Sequence, residues 1–183
     1  MIVENTLHNK PLREIEFAVV DLETTGLGKN HRTIEIAAIK VINGKIIDRF
    51  HSLIHAKFVP HEVTLIHGID APMLSDAPAL HMVKPKFCEF IEGCVLVGHN
   101  IVNFDSRFLC KDFQINNSCF VDTIKLSRML FPDERRHNLQ ILAARLGIRN
   151  KKFHRALDDA KITARVFTKL LSKGEFRFLR DVL

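Results

Sequence analysis

Glu16–Leu22 (EFAVVDL) is a run of apolar and β-branched residues with a carboxylate near its end, the pattern of a buried strand. Thr24, Thr25, Gly26 and Gly28 follow and predict a turn. Thr33–Ile42 and Lys45–Ile54 flank Asn43-Gly44, the dipeptide suited to a type I′ hairpin turn. Gly68, Pro72 and Pro78 interrupt His61–Pro78 and leave room only for short helical turns. Ala79–Ile91 sets Leu80, Val83, Phe87, Phe90 and Ile91 at helical spacing, and Gly93 ends it. Cys94–Gly98 reads as a second buried strand that runs into His99 and Asn100, and Asn103–Phe113 as a helix. Cys119–Val121 is a short strand, and Asp122 or Thr123 caps a helix through Leu130 that Pro132 terminates. Two more helices fit Asn138–Leu146, closed by Gly147, and roughly Leu157 to Leu171, stopped by Gly174. A hairpin followed by alternating helices and strands predicts an α/β sandwich over a mixed sheet. Polar residues gather at the strand ends, where such sheets place their sites.

Composition narrows the class. The chain has 183 residues, 46% hydrophobic and 26% charged, enough apolar surface for one folded domain and against a disordered chain. With no internal repeat or linker-like tract, the domain is placed at residues 16–183, and residues 1–15 are an extension without a functional reading. Apolar runs such as Cys94–Val97 are too short to cross a bilayer, so no membrane is expected as a partner. The opening MIVENTLHNKPLREI lacks the apolar stretch of a secretory signal. Cys88, Cys94, Cys110 and Cys119 form no CxxC pair and sit among apolar neighbours, which predicts reduced core thiols in a cytoplasmic protein. A formal charge of +6 permits a polyanionic partner.

The candidate chemistry begins at Asp21-Leu22-Glu23. On an extended strand, residues two apart share a face, so both carboxylates project together while Leu22 turns to the core. Two such anions repel unless a cation lies between them, and hard oxygen ligands suit Mg²⁺ or Mn²⁺. Alone, this pair also fits a solvated strand end. Asp105 follows the second buried strand, where a helix-capping role competes with a site role. His154-Arg155-Ala156-Leu157-Asp158-Asp159-Ala160 enters the last helix, and its histidine and one aspartate can face one spot. The helix dipole accounts for either aspartate, so only one need be a ligand.

These blocks resemble the DEDDh 3′→5′ exonucleases of the ribonuclease H-like fold, most closely the DnaQ-like branch that includes the proofreading epsilon subunit of bacterial DNA polymerase III. The resemblance runs from about Phe17 to Leu171 in matching order. It rests on DLETTGL at Asp21–Leu27, on GHN followed by FD and FL within Gly98–Leu109, and on HRALDDA at His154–Ala160. IHGID at Ile66–Asp70, together with VDTIKLSRMLFP and NLQILAARLGI within Val121–Ile148, is similar to the family's intervening segments. The implied fold is a three-layer α/β/α sandwich with a mixed, mostly five-stranded sheet.

The resemblance implies metal ligation by Asp21, Glu23, Asp105 and Asp159, with His154 as general base, and it selects Asp159 over Asp158. It implies two Mg²⁺ or Mn²⁺ ions, which in such sites lie roughly 3.5–4 Å apart. It also implies hydrolysis from the 3′ end with release of nucleoside 5′-monophosphates. The turn Thr24-Thr25-Gly26 is expected to approach the terminal sugar, Leu27 to wedge against the last base, and His67 and Asn100 to line the pocket. Arg149-Asn150-Lys151-Lys152 and Arg155 are expected to form a phosphate track. Single-stranded or frayed DNA is the expected substrate, in proofreading or repair. An exoribonuclease of the same family and a non-catalytic nucleic-acid-binding or polymerase-docking module are the alternatives. A DNA polymerase is the implied protein partner, although no extended tail like that of epsilon-type proofreaders follows the last predicted helix.

Overall fold

The computed structural model describes residues 7–116, 119–149 and 154–183. Five strands form one sheet: β1 (Glu16–Thr24), β2 (Thr33–Ile42), β3 (Lys45–Leu53), β4 (Val95–Gly98) and β5 (Phe120–Asp122). Their order is β3-β2-β1-β4-β5. β1, β2 and β3 pair antiparallel, whereas β4 and β5 join in parallel. Asn43 and Gly44 have φ of 48° and 73°, the left-handed backbone that a type I′ hairpin requires.

Alternation along β1 assigns the two cores. Phe17 and Val19 face one cluster, and Ala18, Val20 and Leu22 face the other. The first face is covered by α5 (Thr123–Leu130), α6 (Leu139–Arg145) and α7 (Ala156–Lys173). Phe17 meets Phe167 of α7 edge-on at 4.9 Å between ring centroids. The opposite face is covered by α3 (Leu80–Ile91) and α4 (Asp105–Phe113), where Phe87 and Phe113 lie 5.0 Å apart. Two short helices, α1 (His61–His67) and α2 (Ala71–Leu74), close a smaller cluster of Ile34, Ala56, Val59, Ile69 and Leu74. This is the three-layer sandwich over a mixed five-stranded sheet that the sequence predicts.

The differences are local. β1 runs on to Thr24 because Thr24 still pairs with Thr33 across an irregularity in the ladder. α4 begins at Asp105, since turns occupy 101–104. Asp122, not Thr123, caps α5, accepting the Ile124 N–H at 2.9 Å. Among the described residues the cysteines form no disulfide, and two of them, Cys94 and Cys119, pack at the margins of the two cores. Cys88, Cys94 and Cys119 are half-buried; Cys110 is exposed because Phe108, Leu109 and Phe113 take the inward face of α4. The described part of the predicted extension is tied to the far end of the chain. Leu12 N–H donates to Arg177 C=O at 3.0 Å, Leu179 N–H donates to Lys10 C=O at 3.1 Å, and Ile15 is buried. Among the described residues, no helix is long and apolar enough to cross a membrane.

Candidate active site

Asp21 and Glu23 occupy the same face of β1 as Phe17 and Val19, beyond the point where β4 stops pairing at Val19. The α7 helix crosses that face and brings Asp159 in its first turn. Asp21, Glu23 and Asp159 each present one oxygen so that the three ligand atoms lie within 4.8 Å of one another. Asp158 points elsewhere: it is part-exposed and pairs with Lys161 at 3.7 Å, one helical turn on. Asp159 is buried, and its Oδ2 accepts the His154 N–H at 2.7 Å. Its Oδ1 is buried and has no hydrogen-bond partner among the described residues.

Electrostatics mark this as a strained cluster. Burial first, then Asp105, Glu23, Asp159 and Glu35, hold the Asp21 carboxyl well above the usual carboxylate range. Burial, Asp159, Glu35 and Asp105 push Glu23 up to about 8. Asp105 is buried at the start of α4 and stands outside the close trio, yet it is the first carboxylate acting on Asp21. Burial raises Asp105 itself to about 7, against backbone hydrogen bonding at Asp105 and Leu22. Burial also raises Asp159, against its hydrogen bond from His154. Half-buried and buried carboxylates that hinder one another's ionisation, with one oxygen left unpaired among the described residues, are the donor set of a hard divalent cation. The residues fit such an ion.

Of the other predicted residues, His154 touches the cluster directly, and the rest are reached through their own turns and helices. His154 is exposed, with φ of 66°, and its backbone is tied to Asp159. Thr24 and Thr25 are buried. Thr24 Oγ1 donates to Gly26 C=O at 2.9 Å, and Thr25 N–H donates to Arg32 C=O at 3.0 Å. Gly26 has φ of 147°, and a Cβ there would come within 2.6 Å of the His31 ring. Leu27 stands 71% exposed at the tip of this turn. His67 ends α1 and is buried, with Nδ1 accepting the Ile69 N–H at 3.0 Å and Nε2 buried without a partner among the described residues. Burial lowers its pKa, and Nδ1, as the acceptor from Ile69, leaves the ring proton to Nε2. Asn100 adopts φ of 67°. Its N–H donates to Asp122 at 3.1 Å and its side-chain oxygen accepts from Asn103 at 2.9 Å.

One expectation is overturned, and one residue was not foreseen. Arg155 is not a free phosphate contact, because its guanidinium is bound to Glu35 through Nε at 3.1 Å and Nη2 at 2.8 Å. Asn150, Lys151 and Lys152 of the predicted track lie outside the described residues, and Arg149 is exposed. Glu35 is 0% exposed on β2, directly opposite Glu23 in the ladder. It also accepts the Ala156 N–H at 2.9 Å and lies 2.7 Å from His51 Nε2. Burial works to raise its pKa, but His51, Arg155 and Ala156 together bring it down to about 2. The signal was a single carboxylate inside the apolar run TIEIAAI, buried on both faces.

An exonuclease family profile matches residues 18–167. The DNA polymerase III subunit epsilon of Aquifex aeolicus is 33% identical over 172 residues, covering 88% of this chain and 83% of that protein. The PolC-type DNA polymerase III of Caldanaerobacter subterraneus subsp. tengcongensis is 41% identical over 166 residues, covering 87% of this chain. The chain spans only 12% of that relative's length. Among solved structures, Exonuclease X in complex with 5′ overhanging duplex DNA superposes with a TM-score of 0.76 at 25% identity, covering 91% of this chain and 97% of that one. The nuclease domain of a DEDDh family member bound to rAMP shares the fold, with a TM-score of 0.74 at 18% identity. The five-stranded sandwich, the acidic cluster on β1 and these matches across most of its length lead to one assignment: this chain belongs to the DnaQ-like exonuclease family.

Proposed function

We propose that the chain is a metal-dependent 3′→5′ exonuclease acting on the 3′ ends of single-stranded or frayed DNA. The observation that carries the reading is the convergence of Asp21, Glu23 and Asp159 within 4.8 Å on the face beneath α7. Those three carboxylates, with Asp105 behind Asp21, would hold two Mg²⁺ or Mn²⁺ ions. When bound, such ions supply Lewis-acid stabilisation of the phosphate charge and lower the pKa of water.

The chain's own residues account for the remaining tasks. His154 is exposed beside Asp159 and accepts the proton of the attacking water, as an imidazole can near neutral pH. The water oxygen bonds to phosphorus as the bond from phosphorus to the upstream 3′ oxygen breaks. The shortened strand keeps a 3′-hydroxyl, and a nucleoside 5′-monophosphate departs. His67 supports a role at the terminal nucleotide, because it is buried beside the Thr24 backbone and its Nε2 is in no short hydrogen bond among the described residues. Leu27 offers an exposed apolar edge to the last base, and the strand-end turn from Thr24 to Gly26 holds it there. Asn100, in its left-handed turn tied to Asp122, is the proposed polar contact on the β4 side.

DNA is favoured as substrate because relatives named as DNA polymerase III components match most of this chain. Proofreading in the cytoplasm beside a DNA polymerase is the corresponding setting. The test is a gel assay with matched 5′-labelled DNA and RNA oligonucleotides in Mg²⁺, Mn²⁺ or EDTA, with Asp159→Ala protein as control. A ladder shortening from the 3′ end, faster on DNA and lost in EDTA and in Asp159→Ala, is expected. Faster cleavage of RNA would reassign the substrate. Absence of cleavage of either by folded protein in Mn²⁺ would reject the reading.

A further inference from the structure

Glu35 is a buried charged group that the reaction leaves without a task. It sits near the start of β2, with no exposure to solvent, and it faces Glu23 across the ladder. Burying a carboxylate costs several kcal/mol unless hydrogen bonds and an opposite charge offset it. Here the offset comes from one place in the chain, about 120 residues away: the Arg155 guanidinium and the Ala156 N–H. His51 from the neighbouring strand adds a third contact at 2.7 Å.

The location of these contacts gives them their meaning. Arg155 is the N-cap position of α7 and makes no side-chain cap of its own. The first amide groups of a helix lack intrahelical acceptors. A carboxylate from β2 takes the place of the missing cap, so the helix start is fixed to the sheet as well as to its own preceding loop. On one side of Arg155, His154 donates its N–H to Asp159, and on the other Ala156 donates to Glu35. The backbone from 154 to 156 is therefore held at both ends, and the two residues it carries into the site are His154 and Asp159.

The pair also controls a charge. The Arg155 guanidinium is near enough to Glu23 and Asp158 to feel both. Bound in a fork to Glu35, it is held out of the acidic trio, where a cation from the protein would compete with a metal ion.

We infer that Glu35 and Arg155 form a positioning clamp that sets the start of α7 against β1, aligns Asp159 and His154 with Asp21 and Glu23, and keeps the guanidinium out of the metal site. The inference rests on the exonuclease reading above. Neither residue touches the substrate in this account; both act through the residues they hold.

The test uses the full chain with Glu35→Gln, which keeps the side-chain volume and one acceptor oxygen but loses the forked ion pair. Mn²⁺ binding is followed by electron paramagnetic resonance without nucleic acid, alongside kcat, KM and urea unfolding. Loss of a group that orients metal ligands costs roughly 10–100-fold in metal affinity or activity. Glu35→Gln is expected to lose Mn²⁺ affinity and kcat in that range, with KM for the oligonucleotide unchanged. Glu35→Asp restores part of both, since it keeps the charge. Should Glu35→Gln fail to fold, Arg155→Lys carries the test, because it keeps the charge while losing the fork and is expected to show the same split.

Wild-type Mn²⁺ affinity and kcat in both Glu35→Gln and Arg155→Lys would overturn the clamp. So would a loss that matches the unfolded fraction alone, with the folded molecules fully active. An inactive wild type would reject the exonuclease reading instead, and the Mn²⁺ titrations would still decide the clamp.

Discussion

Glu23→Gln should stabilise the protein in the absence of metal at pH 8, although it removes a residue from the site. The fold raises Glu23 from an ordinary value near 4.5 to about 8. The folded state therefore binds the Glu23 proton more tightly than the unfolded state. Its contribution is complete below about pH 4.5 and is lost as pH rises through about 8. Each tenfold change in proton affinity is worth about 1.36 kcal/mol, which puts a ceiling of roughly 5 kcal/mol on the strain of ionised Glu23. The side chain is half-buried, so water relieves part of this, and the expected gain from Glu23→Gln is about 2 kcal/mol. Urea unfolding in EDTA at pH 8 measures it. At pH 5 the folded protein still holds the Glu23 proton, and the two proteins should differ by less than about 1 kcal/mol. Saturating Mn²⁺ should reverse the order, because a ligand at a hundredfold excess over its Kd adds about 2.7 kcal/mol to the protein that binds it. If Glu23→Gln is no more stable than wild type at pH 8 in EDTA, the carboxylates do not strain one another and the argument for a cation between them fails.

Gly26→Ala should cost about 1–3 kcal/mol in thermal unfolding, since it combines strained backbone with overpacking. The backbone φ is 147° and the new Cβ would meet the His31 ring at 2.6 Å, so adding His31→Ala should recover only the contact part of the loss. Asp122→Ala should cost about 1–2 kcal/mol as a lost helix cap. It should also speed amide exchange at Asn100 and Val102, whose N–H groups donate to Asp122 at 3.1 and 3.4 Å; unchanged exchange there would show that the turn is held by other contacts.

Much of this architecture is legible in local pattern. The alternation in EFAVVDLET fixes which residues of β1 face α7, so the shared direction of Asp21 and Glu23 follows from spacing alone. Asn43-Gly44 predicts its hairpin for a similarly local reason, the ease with which both residues take positive φ. Contacts set by long-range packing were not legible. The partnership of Glu35 with Arg155 spans 120 residues, and nothing near Arg155 distinguishes it from a solvated cation in a basic loop. The choice between Asp158 and Asp159 depends on how α7 is rotated over the sheet, which local pattern does not reveal and only the family resemblance supplies. Cys110 misleads for a related reason: its neighbours Phe108 and Leu109 are buried, but it lies on the outward side of the same helix.

The alternation of β1 has a consequence for the kinds of change the gene can tolerate. Phe17, Val19, Asp21 and Glu23 are on one side of the strand, and Ala18, Val20 and Leu22 are on the other. Deleting or inserting one residue between Phe17 and Asp21 would exchange the two sets, putting Leu22 where the cation belongs and two acids in the apolar layer beneath α3 and α4. Removing two residues would shorten the strand yet preserve the parity of every side chain. Within β1, length variation is therefore confined to even steps, while the loops on either side are free of that restriction.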